Sequence, residues 1–290
     1  MVKSMKKIFS SKEKKIKLEV EKMTKEELEE LKQAKKILEN PSLAIKMANY
    51  IGQPVELLIE KVDSKKLTKI TEKALKKSLS VAISSLKKKK KRDISNKKHK
   101  FMTLLSGGLG GAFGLPALAV ELPISTTIML RSIADIAHSQ GHNLNEIETQ
   151  MACLEVFSLG SNKSKTDDEA ESAYFSARGA VSYQMKSAID AVAGMSEKAI
   201  QDAIAKGNLP VFVKVIETIA SRFGITVSEK LVAQSVPIIG ALGGATINLM
   251  FMNHFQDMAE GHFIVKRLEK KYGLEMIKRE YDALKIENKG

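Results

Sequence analysis

With 290 residues, 5% aromatic side chains, no Trp and only 6 Pro, the chain can bury a sizeable core but is short of the aromatic and turn residues that β-rich folds use. Its one cysteine, Cys153, excludes an intrachain disulfide and, set in the apolar stretch MACLEVF, is expected as a buried thiol rather than a nucleophile, in keeping with a reducing compartment. The formal charge of +13 is lopsided: residues 1–100 hold 29 Lys/Arg against 13 Asp/Glu, and residues 101–290 hold 18 against 21.

Residues 1–24 form a basic tip without the continuous apolar core of a secretory signal, so the chain is expected on the cytoplasmic side. TKEELEELKQAKKILENP is predicted helical: Thr24 and Glu27 make a capping box, Leu28, Leu31 and Leu38 share a face, and Asn40-Pro41 stops it. GQPVELLIEKV restarts a helix with Pro54 in its first turn. In the next segment Leu67, Ile70, Ala74, Leu75 and Leu79 open an apolar stripe that continues to Leu86.

The run LKKKKKRDISNKKHK, residues 86–100, carries Lys87, Lys88, Lys89, Lys90, Lys91, Arg92, Lys97, Lys98 and Lys100 against a single acid, and leads directly into uncharged sequence at Phe101. A basic cluster abutting an apolar segment suits anionic lipid head groups, each Lys or Arg near the surface contributing about 1 kcal/mol. A solvated, charged linker is the plain alternative. Nucleic-acid binding is a third, disfavoured because no aromatic or Gly-Arg features interleave the lysines.

The glycines that follow, in SGGLGGAFGLPALAVELP at 106–123, lack the Gly-Lys-Ser/Thr of a phosphate loop and the spacing and preceding strand of a dinucleotide fingerprint. What they offer is two G-x-x-x-G pairs, Gly107/Gly111 and Gly110/Gly114, which let another helix approach closely. GGLGGAF at 107–113 returns as GALGGAT at 240–246, supplying Gly240, Gly243 and Gly244. The economical expectation is that segments 101–120 and 232–256 pack together as one hydrophobic unit. As membrane spans both are marginal: the first holds five Gly and is closed by Glu121, the second contains Gln234, Ser235, Asn248, Asn253 and His254. Core packing in a peripheral protein, a shallow inserted hairpin and true spanning stay open, with packing preferred.

Further helices are expected from Pro123 to Gly141, over NEIETQMACLEVFSLGS, and after the polar loop 160–172 in four more segments, the last running through INLMFMNHFQDMAEGHFIVKRLEKKYG. No strand-period alternation competes. The fold class is all-α, a multi-helix bundle forming one domain over 25–275 between the basic tip and a tail at 276–290.

Arg131, Asp135, His138 and His142 fall on one helical stripe, and His254, Asp257, Glu260 and His262 recur on the last helix. A metal-dependent enzyme or hydrolase built on His138, His142, His254 and His262 is the runner-up function. Against it, Gly141 ends the helix before His142, HSQGH lacks the Glu of H-E-x-x-H, and Arg131 beside Asp135 suits an ion pair. There is no G-x-S-x-G elbow, and Cys153 has no evident His partner. Tyr174 and Arg178 are expected as helix-surface or interhelical contacts, and Asn248 as a bond across helices or a small polar site. No catalytic residue, metal or cofactor is assigned.

The segments YFSAR, ASRFG, VSEK, SVPIIGALGGATIN and HFQDMAEGHFIVKRLEKKYG, with GGLGGAFGLPALAVELPISTTIMLRSIA upstream, resemble the EcsC protein family across most of the chain. The family takes its name from a bacterial operon encoding an ABC transporter, and the resemblance implies a helical, membrane-associated protein without naming a reaction. The expected function is a non-catalytic accessory protein on the cytoplasmic face of a membrane, binding anionic lipid, a membrane protein such as a transporter, or both.

Overall fold

The computed structural model describes residues 22–39, 43–52, 63–86, 114–160, 172–206, 208–235 and 240–285. In chain order the helices are α1 (Lys25–Leu38), α2 (Leu43–Ile51), α3 (Ser64–Leu86), α4 (Gly114–Ser139), α5 (Ile147–Glu155), α6 (Ala173–Ala191), α7 (Glu197–Ala205), α8 (Pro210–Ser235), α9 (Gly240–Tyr272) and α10 (Leu274–Ala283), with a 3-10 turn at Val156–Ser158 after α5. Among the described residues there is no strand, and the fold is all-α.

The helix boundaries follow from local chemistry. Thr24 Oγ1 accepts from the Glu27 amide and Glu27 accepts from the Thr24 amide, completing the capping box ahead of α1. Ser172 caps α6 with its side chain alone, accepting from the Phe175 amide. At the end of α4, Gly141 takes φ +83°, its amide donates to the His138 carbonyl, and the His142 amide donates back to Ala137. This is the glycine-dependent helix stop that the sequence predicts.

The start of that helix differs from expectation. α4 begins by Gly114, and Pro123 lies inside it. The missing amide of Pro123 leaves the Ala119 carbonyl without its helical partner, and this is tolerable because Ala119 is on the exposed side. The predicted Leu28 also falls at the rim, while Leu31, Ala34 and Leu38 carry the buried face of α1. Residues 276–283, expected as tail, belong to α10, whose Ile277 and Tyr281 are fully buried.

Long α9, with 33 residues and so about 50 Å in length, is the spine. α4 runs beside it in the same sense, since Gln256 Nε2 donates to Ser132 Oγ at 2.8 Å and His142 Nε2 lies 3.1 Å from the Phe263 carbonyl further along. α1 crosses its later half so closely that a Cβ on Gly261 would lie 2.7 Å from Leu38 Cγ and 3.2 Å from the Ala34 carbonyl oxygen. α3 and α8 meet where Thr71 Oγ1 donates to the Ala220 carbonyl at 3.1 Å. Between these helices Phe157, Phe223, Phe251 and Phe255 pack with ring centroids 4.9 to 6.2 Å apart, filling the core with large apolar surface.

The uncharged run 232–256 is divided between the end of α8 and the start of α9. No helix among the described residues is long and apolar enough to cross a membrane. Gly114, Gly240, Gly243 and Gly244 lie in the opening turns of α4 and α9. Gly107, Gly110, Gly111, the helix expected at Pro54, all but the first residue of run 86–100 and all but the ends of loop 160–172 fall outside the described residues.

Candidate functional site, a buried polar ring and an apolar edge

Five polar side chains from three helices meet beside the later half of α9. Glu155 is the last residue of α5, Tyr174 and Arg178 are one turn apart on α6, and His262 and Glu269 are two turns apart on α9. Helical spacing puts each pair on one face. Arg178 grips Glu269 with two parallel bonds, Nη1 to Oε1 at 2.5 Å and Nη2 to Oε2 at 3.0 Å, the strongest geometry available to this pair of groups.

Proton positions in the rest of the cluster follow by elimination. Guanidinium groups only donate, so at 3.3 Å Arg178 Nη1 donates to the Tyr174 hydroxyl oxygen. The hydroxyl proton is then free for His262 Nδ1 at 2.9 Å. That bond assigns the imidazole proton to Nε2, which faces Glu155 Oε2 at 3.5 Å, while Glu155 Oε1 faces Arg178 Nε at 3.8 Å. Arg178, Tyr174, His262 and Glu155 thus form a closed ring. Nε of Arg178 and Nε2 of His262 have no partner nearer than that carboxylate.

Burial, with the Arg178 charge nearby, holds the His262 imidazole well below its ordinary pKa, and burial pushes the Tyr174 hydroxyl well above its own. Both groups are neutral across the physiological range. Around the ring Tyr174 packs against Phe175 and Tyr281 with centroids 5.0 and 5.7 Å away. Glu39, capping α1, accepts from the Tyr174 amide and from the Tyr281 hydroxyl, each at 3.3 Å. The cluster therefore joins α1, α5, α6, α9 and α10, and most of its polar groups are engaged by one another.

The other feature lies at the opposite end of α4 and α9. Pro116, Ala119, Val120 and Ile124 are exposed on α4, Val120 by 63% and Ile124 by 48%. Further along the same face come Arg131, Asp135 and His138, so the outer surface changes from apolar to polar midway along the helix. Beside the apolar stretch, Lys230 Nζ of α8 donates to Glu121 Oε1 at 2.5 Å and sits 5.0 Å from the centre of the Phe251 ring. Gln234 donates to Asn248 at 3.0 Å nearby in the chain, an interhelical bond of the kind expected of Asn248.

The remaining sequence candidates are dispersed. Arg131 and Asp135 are half-buried and His138 is exposed. His142 packs on Phe263, with ring centroids 5.0 Å apart. His254 is buried with neither ring nitrogen hydrogen-bonded among the described residues, and burial lowers its pKa to about 3. It lies directly under Gly160, whose φ is +72° and whose Cβ, if present, would be 2.5 Å from the imidazole. Asp257 is half-buried, its pKa raised by desolvation. His254 and His262, eight residues apart on α9, are separated by about 12 Å along the axis. Among the described residues no three His, Cys, Asp or Glu side chains are grouped to hold a metal ion. Cys153 is buried, and desolvation pushes its thiol pKa up, as expected of an inert thiol.

Sequence reasoning did not single out Glu155, Glu269 or Lys230. A signal existed for two of them: Glu155 interrupts MACLEVF, and Lys230 stands just before LVA in α8. A charge inside an apolar stretch calls for a buried partner.

A family model described as the EcsC protein family matches residues 25–268. The chain belongs to the EcsC protein family. The EcsC span runs from the helix opened by the capping box to the residue before Glu269, and takes in Glu155, Tyr174, Arg178 and His262 together with Glu121 and Lys230. No curated protein and no solved structure matches the chain.

Proposed function

We propose that this EcsC protein is a non-catalytic membrane-surface protein that binds anionic lipid on the cytoplasmic face, with the first turns of α4 as its contact edge. The observation that carries this reading is the outer face of α4, where Val120 and Ile124 stand exposed before Arg131 and His138 take over. An apolar stretch that ends in polar residues on one helix face suits shallow burial at the boundary between head groups and acyl chains. In sequence, the nine basic residues of 86–100 precede this edge and supply attraction for anionic head groups. The polar ring supports the non-catalytic half of the reading, since its groups are turned toward one another.

Sedimentation of the purified chain with lipid vesicles tests it. Binding is expected to need anionic lipid, to weaken steeply as salt rises and to fall when Lys87 to Lys91 are replaced by Gln. Val120→Ser with Ile124→Ser is expected to reduce it further while leaving the helical circular dichroism unchanged. Equal binding to neutral vesicles by wild type and variants would overturn the proposal.

A further inference from the structure

Resting on the lipid-surface reading, a second assignment concerns the rim of the edge. Glu121 is about 100° around the helix from Val120, so it flanks the exposed apolar face. Its side chain is 18% exposed, whereas that of Lys230, 2.5 Å away, is 1% exposed. The ammonium reaches the pair from inside the bundle, over the Phe251 ring, and the carboxylate stands at the lip.

As a fastening between α4 and α8 alone, a buried ion pair holds little advantage over two well-packed apolar residues. Its position suggests a different use. An unpaired carboxylate beside Val120 and Ile124 would oppose seating in an anionic surface twice over, by charge repulsion and by its own desolvation. We propose that Lys230 is a positioning residue for lipid contact: it neutralises Glu121 from behind, so that the apolar edge meets anionic head groups without a net negative charge at its lip.

The full chain is titrated against vesicles of phosphatidylcholine alone and of phosphatidylcholine with phosphatidylglycerol. Lys230→Gln is expected to weaken binding to the anionic vesicles about fivefold, the factor equivalent to about 1 kcal/mol per charge at the surface, with a smaller loss on neutral vesicles. Glu121→Gln is expected to strengthen anionic binding by a similar factor, and Glu121→Gln with Lys230→Gln to return it to the wild-type level. A pair that only fastens helices would shift the melting temperature of these variants and leave their preference between the two vesicles unchanged.

A folded Lys230→Gln variant that binds like wild type, or a double variant that does not recover, overturns the assignment and leaves the lipid-surface reading standing. If Lys230→Gln does not fold, Glu121→Gln decides alone, and the absence of any gain overturns it. Wild-type protein that binds neither vesicle removes both proposals.

Discussion

Charge is handled in two ways along α9. Beside its later half a guanidinium, two carboxylates, an imidazole and a phenol are largely withdrawn from solvent and turned on one another, with Arg178 held twice by Glu269. Near its start a single ion pair, Lys230 with Glu121, lies at the margin of exposed apolar surface. The first arrangement ties distant helices into one register, because a buried charge tolerates few alternative neighbours. The second borders the exposed Val120 and Ile124. Among the described residues, the two ends of α9 therefore differ in whether charge is enclosed by the bundle or borders exposed apolar side chains.

The sharpest way to break this comparison is to remove the two cations in turn. Arg178→Met would strand Glu155 and Glu269 in the interior and is expected to cost about 3–5 kcal/mol of unfolding free energy, measured by urea denaturation. Lys230→Met is expected to cost less, because Glu121 retains some exposure and can turn toward water. Equal losses would mean that the two ends are not different in kind.

Next in size are the glycines. Gly261→Ala must push Leu38 and the α1 backbone aside and is expected to destabilise by about 1–3 kcal/mol. At Gly179 on α6 a Cβ would meet nothing within 4 Å, and the same change is expected to stabilise by up to about 1 kcal/mol. Thermal melts of the two variants in parallel give the contrast directly.

Acid should act through the buried imidazoles. His254 and His262 have folded-state pKa values below the ordinary 6.5, that of His254 at about 3, both chiefly because of burial. Between these limits the unfolded chain binds more protons than the folded one, so stability is full above about pH 6.5 and is lost as the pH falls toward 3. His254 contributes a slope of about 1.4 kcal/mol per pH unit in that window, and the depressed His262 imidazole acts in the same direction. His254→Leu is expected to flatten the slope, and an unchanged pH profile would count against burial as its cause. The smallest expected effect belongs to the free face: Val120→Ser with Ile124→Ser should leave unfolding free energy within about 1 kcal/mol of wild type.

Local pattern was legible where local chemistry decides. The capping box at Thr24 and Glu27, the glycine stop at Gly141 and the buried thiol of Cys153 all follow from neighbours within a few residues. The start of α4 was not legible, because a proline normally read as a helix start is accommodated inside it with the Ala119 carbonyl on the exposed side. Repeats drew attention to the paired glycine runs, yet the tight helix crossing visible among the described residues is at Gly261, a lone glycine in AEGHF with no repeat to mark it. The ring was half legible. His262, Tyr174 and Arg178 stood out as polar residues in helices, but Glu155 and Glu269 join them only through the packing of α5 and α6 against α9, which no spacing in the sequence encodes.

Lys35 of α1 donates to the carbonyls of Tyr281 and Leu284 at 2.7 and 2.8 Å, so the beginning of the domain is fastened to its last helix across 246 and 249 residues of chain. On a ribosome adding about 5–20 residues per second, α1 would emerge roughly 10–50 seconds before that partner exists. During this interval Leu31, Ala34 and Leu38 have no α9 to cover them, and the capping box can hold the helix locally but cannot bury its apolar side. The fastening of α1 therefore waits on synthesis of the helices between it and α10, and any agent that shields a nascent amphipathic helix would find its opportunity in that interval.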